Sequence, residues 1–112
     1  MPRTKGSKNR PKTNTTKDYA WETWSEDGEI NGKPDGTRRL EAIQIRLTGK
    51  AAEKYDIYYR VHCQDYGWLG WAKNGEKAGS EGYSRRMEAI EVRLVTKGNV
   101  APGNTNNCFY GI

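Results

Sequence analysis

Apolar and polar positions alternate with a period of two in two stretches of the chain. Ile43, Ile45 and Leu47 alternate with Ala42, Gln44 and Arg46, and Ile90, Val92 and Leu94 alternate with Ala89, Glu91 and Arg93. That period places the aliphatic side chains on one face of a strand. Residues 57–62 (IYYRVH) alternate in the same way, with Ile57, Tyr59 and Val61 sharing a face. Residues 18–25 and 65–72 are aromatic stretches suited to strands of a half-buried sheet. A glycine-rich connection follows each, and its Asp27-Gly28 or Asn74-Gly75 pair predicts a hairpin-like turn because these residues tolerate positive φ. Between the strands, residues 49–56 leave room for a single helical turn around Ala51-Ala52-Glu53.

The strand pattern occurs twice. Residues 19–47 align without a gap on residues 66–94, an offset of 47, and 13 of the 29 paired positions are identical. Trp21 pairs with Trp68, Trp24 with Trp71, Gly28 with Gly75 and Gly32 with Gly79, and RRLEAIQIRL pairs with RRMEAIEVRL. These are positions that set a backbone, so two related supersecondary units are expected to pack together. The predicted fold class is all-β: one small domain of two related antiparallel units. The strand at 57–62 has no counterpart before residue 19, because residues 10–15 read RPKTNT. The C-terminal residues 106–112 (NNCFYGI) are expected to supply a substitute.

Charge divides the chain further. Arg3, Lys5, Lys8, Arg10, Lys12 and Lys17 give residues 1–17 six cations and no acid, whereas the remainder has thirteen Lys and Arg against fourteen Asp and Glu. Residues 1–17 also lack a hydrophobic period, so they are expected to form a disordered basic arm. The domain then runs over 18–112, with repeat units at 19–47 and 58–94 and an extension over 95–112. No stretch reaches the eighteen or so apolar residues of a membrane span, and the start lacks the apolar run of a secretory signal. Membrane insertion and unaided secretion are not expected. Cys63 and Cys108 are too few for a disulfide scaffold, and whether they are bridged is left open.

The run YRVHCQDYGWLGWAKNGEKAG followed by SRRMEAIEVRL resembles the clostridial hydrophobic repeat with its Gly-Trp, the ChW repeat. The second copy carries the pattern at His62, Gln64, Gly67, Trp68, Gly75, Gly79, Gly82, Arg86, Glu88, Ala89 and Ile90, with Cys63 where a β-branched residue is usual. The first copy has Ala20 before Trp21 and no His-x-Gln strand. The resemblance implies a non-catalytic module of surface or carbohydrate binding in Gram-positive bacteria. Residues 4–12 (TKGSKNRPK) are similar to the extended part of an AT-hook without its Gly-Arg-Pro centre, and similar starts occur on small phage-encoded proteins.

Candidate chemistry narrows the function. Indoles offer a broad apolar face for sugar rings or bases, and a spacing of three places the two tryptophans of each copy on opposite faces of a strand. Trp24 and Trp71 are read as the exposed members. With Tyr66, and with His62 and Gln64 expected on one strand face, they form the candidate ligand-binding set. The pairs Arg39/Glu41 and Arg86/Glu88 are read as scaffold. No nucleophile motif, phosphate-binding glycine loop or Cys/His cluster is present, so neither enzyme activity nor a metal or cofactor is expected. The leading expectation is a phage-encoded recognition module that binds a bacterial cell-wall or surface glycan or decorates a virion through capsid proteins. Its location is then the virion or the cytoplasm of an infected bacterium. The alternative is a small nucleic-acid-binding or host-inhibiting protein that contacts DNA non-specifically through Arg3, Lys5, Lys8, Arg10, Lys12 and Lys17.

Overall fold

The computed structural model describes residues 2–5, 21, 24–26 and 40–111. Among these residues the strands are β1 (Pro2–Lys5), β2 (Trp24–Glu26), β3 (Ala42–Leu47), β4 (Tyr55–Cys63), β5 (Gly67–Trp68), β6 (Ala72–Lys73), β7 (Ala78–Ser80), β8 (Met87–Thr96) and β9 (Phe109–Tyr110). A five-residue helix, α1 (Lys50–Lys54), fills the space allowed for one turn between β3 and β4. The architecture is all-β, as the alternation predicts.

In the second copy β4 is central. One of its edges runs antiparallel to β8, from Tyr55↔Thr96 to Cys63↔Met87, and β5 and β6 share the other. In the first copy β1 lies between β2 and β3, antiparallel to both. The registers coincide. Leu47 faces Pro2 and its counterpart Leu94 faces Ile57, while Ser25 faces Thr4 and its counterpart Ala72 faces Tyr59. β1 therefore holds in the first copy the place of β4 in the second.

Two expectations are corrected here. The opening strand of the first copy comes from Pro2–Lys5, whereas Phe109–Tyr110 runs parallel to β7 on the other side of β3. These four arm residues are also part of a sheet. Their composition cannot offset the entropy of folding alone, but extended main chain can pair with an open strand edge whatever its side chains are. Residues 6–17, with the rest of the expected arm, lie outside the described residues, as does the Asp27-Gly28 turn.

A strand of the second copy pairs with the first copy. At the Asn74-Gly75 turn both residues have positive φ (47° and 90°), and Glu76 N–H donates to Lys73 O at 3.1 Å. The chain does not return as a hairpin, however. Gly75 N–H donates to Ile45 O (2.7 Å) and Gln44 Nε2 to Gly75 O (2.6 Å), which holds the turn on β3. β7 then pairs with β3 at Ala42↔Gly79 and Ile43↔Ala78. Gly79 is required there: its φ is +117°, and a Cβ would lie 2.2 Å from Glu41 O.

The core lies between the copies, built from Ile45 and Leu47 of the first and Ile57, Tyr59, Val61, Cys63, Leu69, Ala72 and Ala78 of the second. Cys63 and Cys108 are free thiols. Equivalent residues meet opposite environments. Ile45 and Leu47 are 6% and 9% exposed, but Val92 and Leu94 are 46% and 58% exposed. β3 is covered by β4 and β7, whereas β8 pairs only with β4 among the described strands.

Asp56 ties the second copy together. Its buried carboxylate accepts from Asn74 Nδ2 (2.9 Å), Lys97 Nζ (3.0 Å) and Gly98 N–H (3.1 Å). These hydrogen bonds, Asn74's foremost, hold its carboxyl far below the usual carboxylate range and outweigh the opposing effect of burial.

Candidate functional site

The core residues Ile57, Tyr59 and Val61 take one face of β4, so the alternation directs Arg60 and His62 to the other. The Arg60 guanidinium lies 4.5 Å from the centroid of Trp68 and 4.9 Å from that of Trp71. Glu91, opposite Arg60 on β8, accepts from Arg60 Nε at 2.9 Å through Oε1, which is also 2.8 Å from Nη2. Its other oxygen, Oε2, accepts from Arg93 Nε at 3.1 Å and lies 3.0 Å from Arg93 Nη2. The bond from Arg60, with that from Arg93, holds the Glu91 carboxyl below its ordinary pKa. One carboxylate thus fixes two guanidiniums.

The C-terminal segment forms the facing wall. Trp71 N–H donates to Asn104 O (2.9 Å) and Gly70 N–H to Asn107 O (3.3 Å). A Cβ on Gly70 would lie 2.1 Å from Asn106 O, so a residue without a side chain lets the two segments meet. Tyr66 and Tyr110 pack with ring centroids 5.1 Å apart. The result is a cleft of about 450 Å³, lined by Arg60, Tyr66, Trp68, Trp71, Arg93, Asn104, Asn106, Asn107 and Tyr110 among others. Aromatic faces, amides and fixed cations suit a hydroxyl-rich ligand that stacks and accepts hydrogen bonds.

The structure brings together part of the candidate set. Tyr66 and Trp71 line the cleft. His62 stands behind it, edge-on to Trp68 at 5.3 Å with Nδ1 3.1 Å from Glu88 Oε1. Gln64 lies just past the end of β4, in a turn in which Asp65 has φ 67°, and is not among the residues lining the cleft. Trp24 belongs to the first copy, with the Arg46 guanidinium 4.3 Å from its ring centroid. The exposure expected of Trp71 is corrected: it is 5% exposed, and Trp68 is 45% exposed. Both indoles meet Arg60 because strand structure stops after Trp68 and resumes at Ala72, so alternation does not carry across the gap. Trp21, the counterpart of Trp68, is buried, with its Nε1 donating to Glu81 of the second copy at 3.3 Å.

Sequence reasoning missed Trp68, Arg60, Arg93, Tyr110 and the asparagines. Arg60 was accessible through its parity with His62, and Arg93 through its recurrence as Arg46. The asparagine wall depends on long-range folding and left no local signal.

A family model described as Clostridial hydrophobic W, ChW, matches residues 17–49 and 62–96, which is 68 of the 112 residues. The chain belongs to the ChW family. Comparison with curated proteins and with solved structures gave no match. The second ChW segment contributes Tyr66, Trp68, Trp71 and Arg93 to the cleft, while Arg60 and the asparagine wall come from outside both segments. Among the described residues no group of three or more His, Cys, Asp or Glu could hold a metal ion, and no helix is long and apolar enough to cross a membrane.

Proposed function

We propose that the chain is a non-enzymatic recognition module that binds a bacterial surface glycan in the cleft between β5, β8 and the C-terminal segment. The observation that carries this reading is the half-exposed Trp68 indole, held between His62 and Arg60 at the mouth of an aromatic and amide-lined cleft. A rigid indole beside fixed polar groups stacks on a sugar ring at little entropic cost. Trp71 plays a supporting part, as a buried floor beneath Arg60. The resemblance of the chain's start to small phage-encoded proteins favours a phage origin, in which case the module would serve attachment of a virion to its host.

The test is sedimentation of the full chain with purified Gram-positive cell walls. Trp68→Ala is expected to weaken binding about tenfold, the equivalent of about 1.4 kcal/mol. Trp24→Ala, in the other copy, is expected to leave it unchanged. Equal binding by wild type and Trp68→Ala would remove the cleft from consideration.

A further inference from the structure

We propose that the cleft selects saccharides bearing an anionic group, a phosphate or a carboxylate, and that Arg93 is the residue that seats it. This rests on the reading of the cleft as a glycan site. Among the described residues lining the cleft, the charged ones are Arg60 and Arg93. Glu91 lies beside them with both oxygens committed, so the Arg60–Glu91–Arg93 group retains one positive charge. The neighbouring charges close on themselves: Arg85 lies 3.4 Å from Asp65, and Arg86 is 3.6 Å from Glu88.

The two arginines are not equivalent. Both meet Glu91 through Nε and Nη2, but the Arg60 side chain is 32% exposed and packed at 4.5 and 4.9 Å from two indole centroids, whereas Arg93 lies 5.8 Å from that of Trp71 alone. The Arg93 side chain is 58% exposed, and its Nε and Nη2 engage Glu91, which leaves Nη1 and its two donors to face a ligand. A guanidinium fixed by a carboxylate on one side keeps a planar set of donors on the other. That arrangement suits the oxygens of a phosphate or carboxylate, and little side-chain freedom remains to be lost on binding. Asn106 and Asn107 line the same cleft and supply neutral amide partners for the sugar hydroxyls, with Asn104 Oδ1 holding Asn106 N–H at 3.0 Å.

The basic arm attracts any polyanion, so the experiment separates site from background with a charge-matched control. The full chain is titrated calorimetrically at near-physiological salt with three oligomers of equal length: a glycerol phosphate polymer, an oligo-uronate and neutral oligo-N-acetylglucosamine. Wild type is expected to bind one or both anionic oligomers at least about tenfold more tightly than the neutral one, as one charge-assisted contact provides. The two anionic probes then identify phosphate or carboxylate as the group seated. Arg93→Gln is expected to abolish that preference, while Lys54→Gln, the same charge change at an exposed residue of α1, is expected to alter affinity less than about twofold. Should Arg93→Gln fail to fold, Arg93→Lys keeps the charge without the planar fork and is expected to lose about half of the preference on a logarithmic scale. Equal losses in Arg93→Gln and Lys54→Gln would overturn the proposal in favour of diffuse attraction. Equally tight neutral binding would overturn anion selection and leave the glycan reading standing. Absence of binding to any oligomer and to walls would overturn both.

Discussion

Leu47 and Leu94 are the same residue at the same register of two equivalent strands, yet they are 9% and 58% exposed. Truncating both to alanine therefore isolates burial from sequence and secondary structure. Leu47 has about nine-tenths of its surface removed from water and packs in the core between the copies, so Leu47→Ala loses transfer free energy and leaves a cavity. Core leucines truncated in this way cost roughly 2.7–5 kcal/mol, and about 3 kcal/mol is expected here. Leu94 has about four-tenths of its surface removed from water, so full leucine burial at about 1.5–3 kcal/mol scales to about 1 kcal/mol. Urea denaturation should resolve the difference of about 2 kcal/mol, and in calorimetry it should separate the two midpoints by roughly 8 °C for a domain of this size. Ile45→Ala and Val92→Ala provide a second pair, with exposures of 6% and 46%. Equal costs within each pair would refute the assignment of β3 to the interior and β8 to the surface.

Gly79→Ala places a Cβ 2.2 Å from Glu41 O at φ +117° and is expected to cost more than about 2 kcal/mol, whereas Gly98→Ala, with φ +87° and open space, is expected to cost about 1 kcal/mol; thermal melts compare them. Asp56, whose folded-state pKa is depressed, contributes stability that is fully present above its unfolded value of about 3.9 and is lost as pH falls below it; Asp56→Asn should lower stability at pH 7 and flatten the acid limb of a stability–pH curve. Burial pushes the Cys63 thiol up to about 11, so an alkylating reagent near neutral pH should modify Cys63 slowly in the native protein and rapidly in denaturant, followed by mass spectrometry. If the six arm cations bind DNA, the log–log salt slope should be no steeper than about −5, and replacing Lys8, Arg10, Lys12 and Lys17 by Gln should make it markedly shallower; an unchanged slope would place the phosphate contacts elsewhere.

Period-two alternation was sufficient to find β3, β4 and β8, because each keeps regular strand geometry over several residues and a side chain's face follows from its parity. The same rule failed between Trp68 and Trp71, where the strand is interrupted for three residues. Turn chemistry identified Asn74-Gly75 correctly but could not say where the next strand would go. That destination depends on β3, some thirty residues away in sequence, whose carbonyl at Ile45 and side chain at Gln44 capture the turn. The candidate site was legible to the extent that it uses the second ChW unit. Its other half, Arg60 and the asparagine wall, is brought in by β4 and by the C-terminal segment.

The position of β1 shows what the sequence repeat leaves out. The ChW segments begin at residues 17 and 62, after β1 and near the end of β4, so neither includes the strand on which its own sheet is built. Each unit then requires an extended partner between its aromatic strand and its aliphatic strand. In the second copy that partner directly precedes the segment, with Ile57 facing Leu94; in the first it is drawn from farther back, with Pro2 facing Leu47. Ile57 and Pro2 are 55 residues apart, against an offset of 47 for the repeat, so the first copy spans eight more residues between opening strand and aromatic strand. Since backbone pairing rather than side-chain pattern recruits this strand, self-alignment could not reveal it. Side chains on it are correspondingly free to differ, and in the second copy that freedom places Arg60 between two tryptophans. The equivalent position in the first copy is Lys5, opposite Gln44 where the second copy has Glu91 opposite Arg60. At the position of Glu91 the first unit therefore has a neutral amide, and its aligned residues Lys5, Gln44 and Arg46 do not reproduce the Arg60–Glu91–Arg93 arrangement.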